Sequence, residues 1–183
     1  MKKKNIKCIL LMCLLLGITA YGQKYSTRTG TIKFEASVAS FEEVAAENKS
    51  VSAVVEANTG EIAVLALMKG FRFKVALMEE HFNESYAETD KYPKATFKGR
   101  ITDFSSAKLS EKPATFIIKG ELTLHGKTKQ ITDKVSVSKS GSTILVNGSF
   151  LIKPADFDIE IPNVVSKKIA EEVTVSYNLS LKK

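Results

Sequence analysis

The chain has 183 residues, a formal net charge of +7 and 26% charged residues. That length suits one ordinary domain with enough surface to bury a core. Both cysteines, Cys8 and Cys13, fall in the first 22 residues, so residues 23–183 hold no thiol nucleophile, disulfide or cysteine-based metal site.

The opening MKKKNIKCILLMCLLLGITAYGQ has the order of a secretory signal. Lys2, Lys3, Lys4 and Lys7 precede a short apolar run from Ile9 to Ile18, and Ala20 and Gly22 are small where a signal peptidase reads. The run is too short and wrongly flanked for a permanent membrane span. Cleavage is expected after Gly22, giving a domain of 23–183 in the periplasm or outside the cell. Met12 before Cys13 argues against a lipoprotein anchor, which wants a small residue there. Loss of the four lysines lowers the net charge from +7 to +3. No Lys/Arg cluster remains to track a phosphate backbone, which argues against a nucleic-acid partner.

From residue 31 onward the pattern is alternation, the mark of half-buried strands. Ile32, Phe34, Ala36 and Val38 form the first run, and Val51, Ala53, Val55 and Ala57 the second. Asn58-Thr59-Gly60 turns the chain into Ile62, Val64, Ala66 and Met68, and Phe71, Phe73 and Val75 follow. Leu77 to about Tyr86 reads as the one helix, with Met78, Phe82 and Tyr86 on one face and glutamates opposite. Alternation resumes at Ala95, Phe97, Gly99 and Ile101, and again at Phe116, Ile118, Gly120, Leu122 and Leu124. Ile131, Val135 and Val137 follow with a break at Asp133, then Ile144, Val146, Gly148, Phe150 and Ile152. Residues 153–170 read as irregular, and Val173, Val175, Tyr177, Leu179 and Leu181 make the last strand. Eight or nine strands with hairpin-length connections predict an all-β fold. An antiparallel eight-stranded barrel with one short helix near a barrel end fits best, because closure removes exposed edges. A two-sheet sandwich has the same local pattern.

Gly99, Gly120 and Gly148 each stand on the inferred apolar face, where glycine costs roughly 0.5–1 kcal/mol relative to alanine. They either let the strands coil at barrel corners or leave interior room. An eight-stranded barrel is just wide enough to be filled by side chains or to hold one small ligand. Burying about twenty chain carbons is worth up to roughly 16 kcal/mol before losses of ligand freedom. On the second reading Gly120→Phe loses ligand above all.

Three stretches carry a resemblance to a known family. They are His81-Phe82-Asn83, Lys91-Tyr92-Pro93-Lys94-Ala95-Thr96-Phe97, and Gly120-Glu121-Leu122-Thr123-Leu124-His125-Gly126-Lys127-Thr128-Lys129. The chain resembles the YceI-like family over most of residues 23–183. The resemblance implies a lipocalin-like barrel that binds polyisoprenoid chains, a periplasmic carrier or sequestering protein for isoprenoids or quinones rather than an enzyme. It also suggests a homodimer. Many relatives carry an Arg two residues before an Asp-Phe-Gly. Here Asp156 and Phe157 match, but Pro154 stands at the Arg place and Asp158 at the Gly place, which leaves head-group preference open.

The expected cavity residues are Phe34, Phe73, Phe97, Ile101, Phe116, Ile118, Leu122, Leu124, Val146 and Phe150, with Gly99, Gly120 and Gly148 leaving space. Met78, Phe82 and Tyr86 are the candidate lid, or a plug of that barrel end. A non-covalent isoprenoid lipid or quinone is the expected ligand; no cofactor, metal or catalytic residue is assigned. His81 and Glu84 lie one helical turn apart but make an incomplete metal site. His125, next to Gly126 at a strand end on the polar face, reads as a turn or strand-pairing residue rather than a base. A hydrolase acting on a lipid or small ester in the same pocket is the alternative, yet no Gly-x-Ser-x-Gly elbow appears and only two histidines can serve as base. Glu79-Glu80 reads as a solvated helix face. A ligand-free interaction module, its barrel filled by its own side chains, is the third reading.

Overall fold

Strand-forming alternation governs the chain from Lys24 to Lys182, and nearly all of it is used. The computed structural model describes residues 23–39 and 41–183. The expected export segment, with its cleavage point and both cysteines, lies outside them. The strands are β1 (Lys24–Ser37), β2 (Ala45–Glu56), β3 (Glu61–Leu67), β4 (Arg72–Phe73), β5 (Lys94–Ile101), β6 (Ala114–Leu124), β7 (Lys127–Ser140), β8 (Thr143–Ile152) and β9 (Ile169–Lys182). Each long strand pairs antiparallel with its neighbours, in the order β1-β9-β8-β7-β6-β5-β3-β2, and β1 also pairs with β2. That last pairing closes an eight-stranded barrel and rules out the two-sheet sandwich. Closure satisfies the backbone groups that an open edge would leave for another chain.

Local chemistry sets the corners. Gly141 turns β7 into β8 with φ 57°. The β6–β7 hairpin turns on His125 and Gly126, both left-handed at φ 49° and 74°, which is the twist a two-residue hairpin needs. Phe71 and Val75 do not extend a strand as the alternation suggested. The Phe71 N–H instead closes a tight turn on the Met68 carbonyl (3.2 Å), and only Arg72–Phe73 pairs, against Ala46 and Glu47.

The helix α1 (Ala76–His81) follows, widening into a π turn at Phe82–Tyr86. Its first turn has no capping side chain. Glu79 ties it down instead, accepting from the Phe73 N–H (3.1 Å) and pairing with Arg72 (2.8 Å). The 153–170 stretch forms a tight turn at Pro154–Phe157 and a short helix α2 (Asn163–Ser166). Both lie at the barrel end that α1 covers, since both line the same cavity.

The two halves of the barrel differ. Val51, Val55, Ile101, Val137, Ile144, Val146 and Leu181 are all 0% exposed and fill the half away from α1. Dense packing of this kind leaves no room for a guest.

Candidate functional site

The half under α1 is hollow. A cavity of about 560 Å³ opens there, within the 300–1,000 Å³ range usual for small-molecule sites. Its wall is built from alternate residues of the strands: Ile32 and Phe34 of β1, Val64 of β3, Phe97 of β5, Leu122 and Leu124 of β6, Ile131 of β7, Phe150 of β8, Val173 and Val175 of β9. The mouth is framed by α1 and by Ile159, Ile161 and Val165 from the irregular segment. Glu42 and Lys168 add charge at the mouth, while Leu77 and Val164 are exposed apolar side chains on α1 and α2. At about 30 Å³ per non-hydrogen atom, the share of a liquid water molecule, the space holds roughly 20 atoms.

Seven of the expected cavity residues face this space: Phe34, Phe73, Phe97, Ile118, Leu122, Leu124 and Phe150. Met78, Phe82 and Tyr86 face it from above. Phe82 is locked rather than loose. Its ring centroid lies 5.4 Å from that of Phe34, 6.0 Å from Phe71 and 5.2 Å from Phe73, distances at which aromatic rings attract. It anchors α1 over the mouth.

Six expectations need correction. Ile101 and Val146 belong to the packed half, and Phe116 stacks toward Phe104 (6.4 Å) outside the cavity lining. Alternation tells which way these residues point but not how far along the barrel axis they sit. Gly99, Gly120 and Gly148 do not open space to a ligand either. Gly99 and Gly120 are directly opposed across β5 and β6, and the ring of Phe97 lies over both. A Cβ on Gly120 would stand 2.5 Å from the Gly99 Cα and 2.7 Å from Phe97 Cζ. Gly148 is opposed by Tyr177, whose phenol fills the space above it. Aromatic rings thus cover the glycines and the strands coil beneath them.

Among the cavity residues that the sequence did not single out, two carry polar groups deep in the barrel. Asp133 and Tyr177 both line the cavity. The signal for Asp133 was present as the break in alternation on β7. Burial, and to a lesser degree the charge of Asp133, push the Tyr177 phenol up to about 12. It therefore stays an O–H donor at any physiological pH.

His125 stands in the β6–β7 turn, as the sequence suggests, but it is buried rather than on a polar face. It is 8% exposed. Its Nδ1 bonds the Phe157 carbonyl (3.0 Å), its Nε2 the Glu88 carboxylate (2.8 Å), and its ring packs on Tyr92 (4.2 Å between centroids). One side chain thereby joins the β6–β7 turn, the connection after α1 and the turn before α2. Among the described residues, no three His, Cys, Asp or Glu side chains gather as a metal would need, and no helix is long and apolar enough to cross a membrane.

The model of the YceI-like domain matches residues 18–181. The chain belongs to the YceI-like family. Solved structures of the same fold include a polyisoprenoid-binding domain from Saccharophagus degradans implicated in plant cell wall breakdown. It is 19% identical with a TM-score of 0.75, covering 88% of this chain and 98% of that one. Burkholderia cenocepacia BcnA is 18% identical, TM-score 0.70, over 84% and 96% of the two chains. A Campylobacter jejuni YceI protein is 15% identical, TM-score 0.57, over 74% and 84%. At these identities the likeness is one of fold. No curated protein sequence matches the chain.

Within this YceI-like barrel the two departures near residue 156 have a physical account. Asp158 takes the left-handed backbone (φ 56°) that a glycine would take, and pairs with Lys127 at 2.7 Å. Short polar side chains tolerate that conformation. Pro154 starts the tight turn and lines the cavity, so an apolar ring stands at the place where the family resemblance would put a guanidinium.

Proposed function

We propose that this protein binds a long isoprenoid-type amphiphile, polyisoprenoid or quinone, non-covalently in the barrel cavity, and so sequesters or transports it. The observation that carries the reading is the hollow upper half, about 560 Å³ walled mainly by Phe, Ile, Leu and Val. Such a wall has little to offer a polar guest, and it rewards a chain at about 0.8 kcal/mol per buried CH2. Membership of the YceI-like family supports it, and one relative in fold is described as polyisoprenoid-binding.

The hydrolase reading has less behind it. His81 lines the cavity, but no serine or cysteine stands in the cavity wall among the described residues, and both nitrogens of His125 are engaged with Phe157 and Glu88. Binding without turnover is the reading these residues support. We further propose that residues 1–22 direct export to the periplasm or beyond. Sequencing of the exported protein would then begin at Gln23, and a retained Met1 would exclude it.

Native mass spectrometry on protein purified without detergent tests the lipid reading. A bound mass of several hundred daltons, extractable as an isoprenoid or quinone, is expected. A clean apo mass, unchanged after incubation with such lipids, would overturn the reading.

A further inference from the structure

The floor of the cavity is not apolar. Along β7 the inward residues are Ile131, Asp133, Val135 and Val137. The first two line the cavity, and the last two are 1% and 0% exposed in the packed half. Asp133 is therefore the last residue of its strand to face the space. Tyr177 reaches the same level from β9. It opposes Gly148, which in turn opposes Val135 on β7, and its phenol oxygen crosses the gap that Gly148 leaves. The carboxylate is close enough for its charge to act on that phenol. The hydrogen bond Asp133 makes among the described residues comes from the Lys134 backbone N–H (2.7 Å). A carboxylate facing an apolar space is costly unless something donates to it. A hydrocarbon chain end seated on this floor would strand it.

We infer that Asp133 and Tyr177 form a receptor for a neutral hydroxyl at the deep end of the bound lipid, which therefore lies with that hydroxyl inward. A hydroxyl both donates and accepts. It can donate to the Asp133 carboxylate and accept from the Tyr177 O–H. A phosphate is repelled by Asp133. A quinone carbonyl accepts only, so it can satisfy Tyr177 but not Asp133. The inference rests on the lipid-binding reading above and adds the class of group recognised. A free isoprenoid alcohol and a prenylated hydroquinone carry the same hydroxyl chemistry.

The test is calorimetric titration of the protein with four probes. They are geranylgeraniol, geranylgeranyl monophosphate, an acyclic isoprenoid hydrocarbon of equal length, and a hydroquinone bearing a short prenyl chain. Geranylgeraniol or the hydroquinone is expected to bind at least tenfold more tightly than the hydrocarbon, because a site built to pair a hydroxyl discriminates strongly against its absence. The tighter of the two names the source. The monophosphate is expected to bind more weakly than the alcohol. In Asp133→Leu and Tyr177→Phe the preference for the hydroxyl should fall by tenfold or more while hydrocarbon binding persists, which also shows an intact barrel. Asp133→Asn keeps the shape and should raise monophosphate binding about tenfold. Equal binding of alcohol and hydrocarbon, or a preference unchanged in all three variants, overturns the floor receptor and leaves the lipid reading standing. Failure of all four probes to bind overturns both.

Discussion

Replacing Gly120 by alanine separates the two meanings a glycine inside a strand can have. If the glycine made room for ligand, the new methyl would fill empty space and the strand would gain roughly 0.5–1 kcal/mol from reduced backbone freedom. The structure predicts the opposite sign. The methyl would lie 2.5 Å from the Gly99 Cα and 2.7 Å from Phe97 Cζ. The Phe97 ring can tilt, but the Gly99 backbone belongs to the paired strand and cannot retreat without breaking the β5–β6 register. Overpacking costs about 1–3 kcal/mol, and a methyl driven against paired backbone belongs in the upper part of that range, so a net loss of about 1–2 kcal/mol remains after the gain. Urea denaturation, with a slope of about 2 kcal/mol per molar, should show the midpoint falling by about 0.5–1 M. A Gly120→Ala protein as stable as the parent, or more stable, would refute the close-approach account and restore the glycine as ligand space.

Three other outcomes follow from the same geometry. Phe82→Ala removes the ring that three phenylalanines hold and should destabilise by about 2–3 kcal/mol, with faster ligand release in stopped-flow displacement because α1 loses its anchor; unchanged release would leave Phe82 a packing residue alone. His125→Ala leaves the Phe157 carbonyl and Glu88 without their partner and should cost about 1–3 kcal/mol, or several degrees in Tm. His125→Asn tolerates the left-handed turn, so an equal loss in both variants assigns the effect to the hydrogen bonds. Ultraviolet titration should find Tyr177 ionising near pH 12, against about 10 in the unfolded chain, and lower in Asp133→Asn. Its contribution to stability is full below pH 10 and is lost as pH rises from 10 to 12, because the unfolded phenol gives up its proton first. Ionisation at pH 10 in the folded protein would mean that the phenol is not buried beside Asp133.

The polar floor of the cavity carries the weakest signal in the sequence. Asp133 showed only as an interruption in an apolar series, and a single acid in a strand more often faces water. Its meaning comes from Tyr177, 44 residues away in the numbering, reaching over a glycine on the strand between them. His125 likewise looked like a hairpin residue. Its partners, Glu88 and the Phe157 carbonyl, come from segments with no pattern of their own. Irregular segments carry no periodicity to betray which side chains point inward, so Ile159, Ile161 and Val165 were also missed.

Strand count, strand order along the chain, the short helix and the inward face of each strand all came from the sequence alone. They rest on alternation of period two, turn residues and one helical stripe, which are local properties. Family membership was legible in the same way, from contiguous segments such as Gly120 to Lys129. Depth along the barrel axis was decided only by tertiary structure. Ile118 and Ile101 are both inward-facing and paired across β5 and β6, yet one lines the cavity and the other is sealed in the core. Strand tilt and the packing of rings from other strands set that difference, and neither is written in the residues on either side.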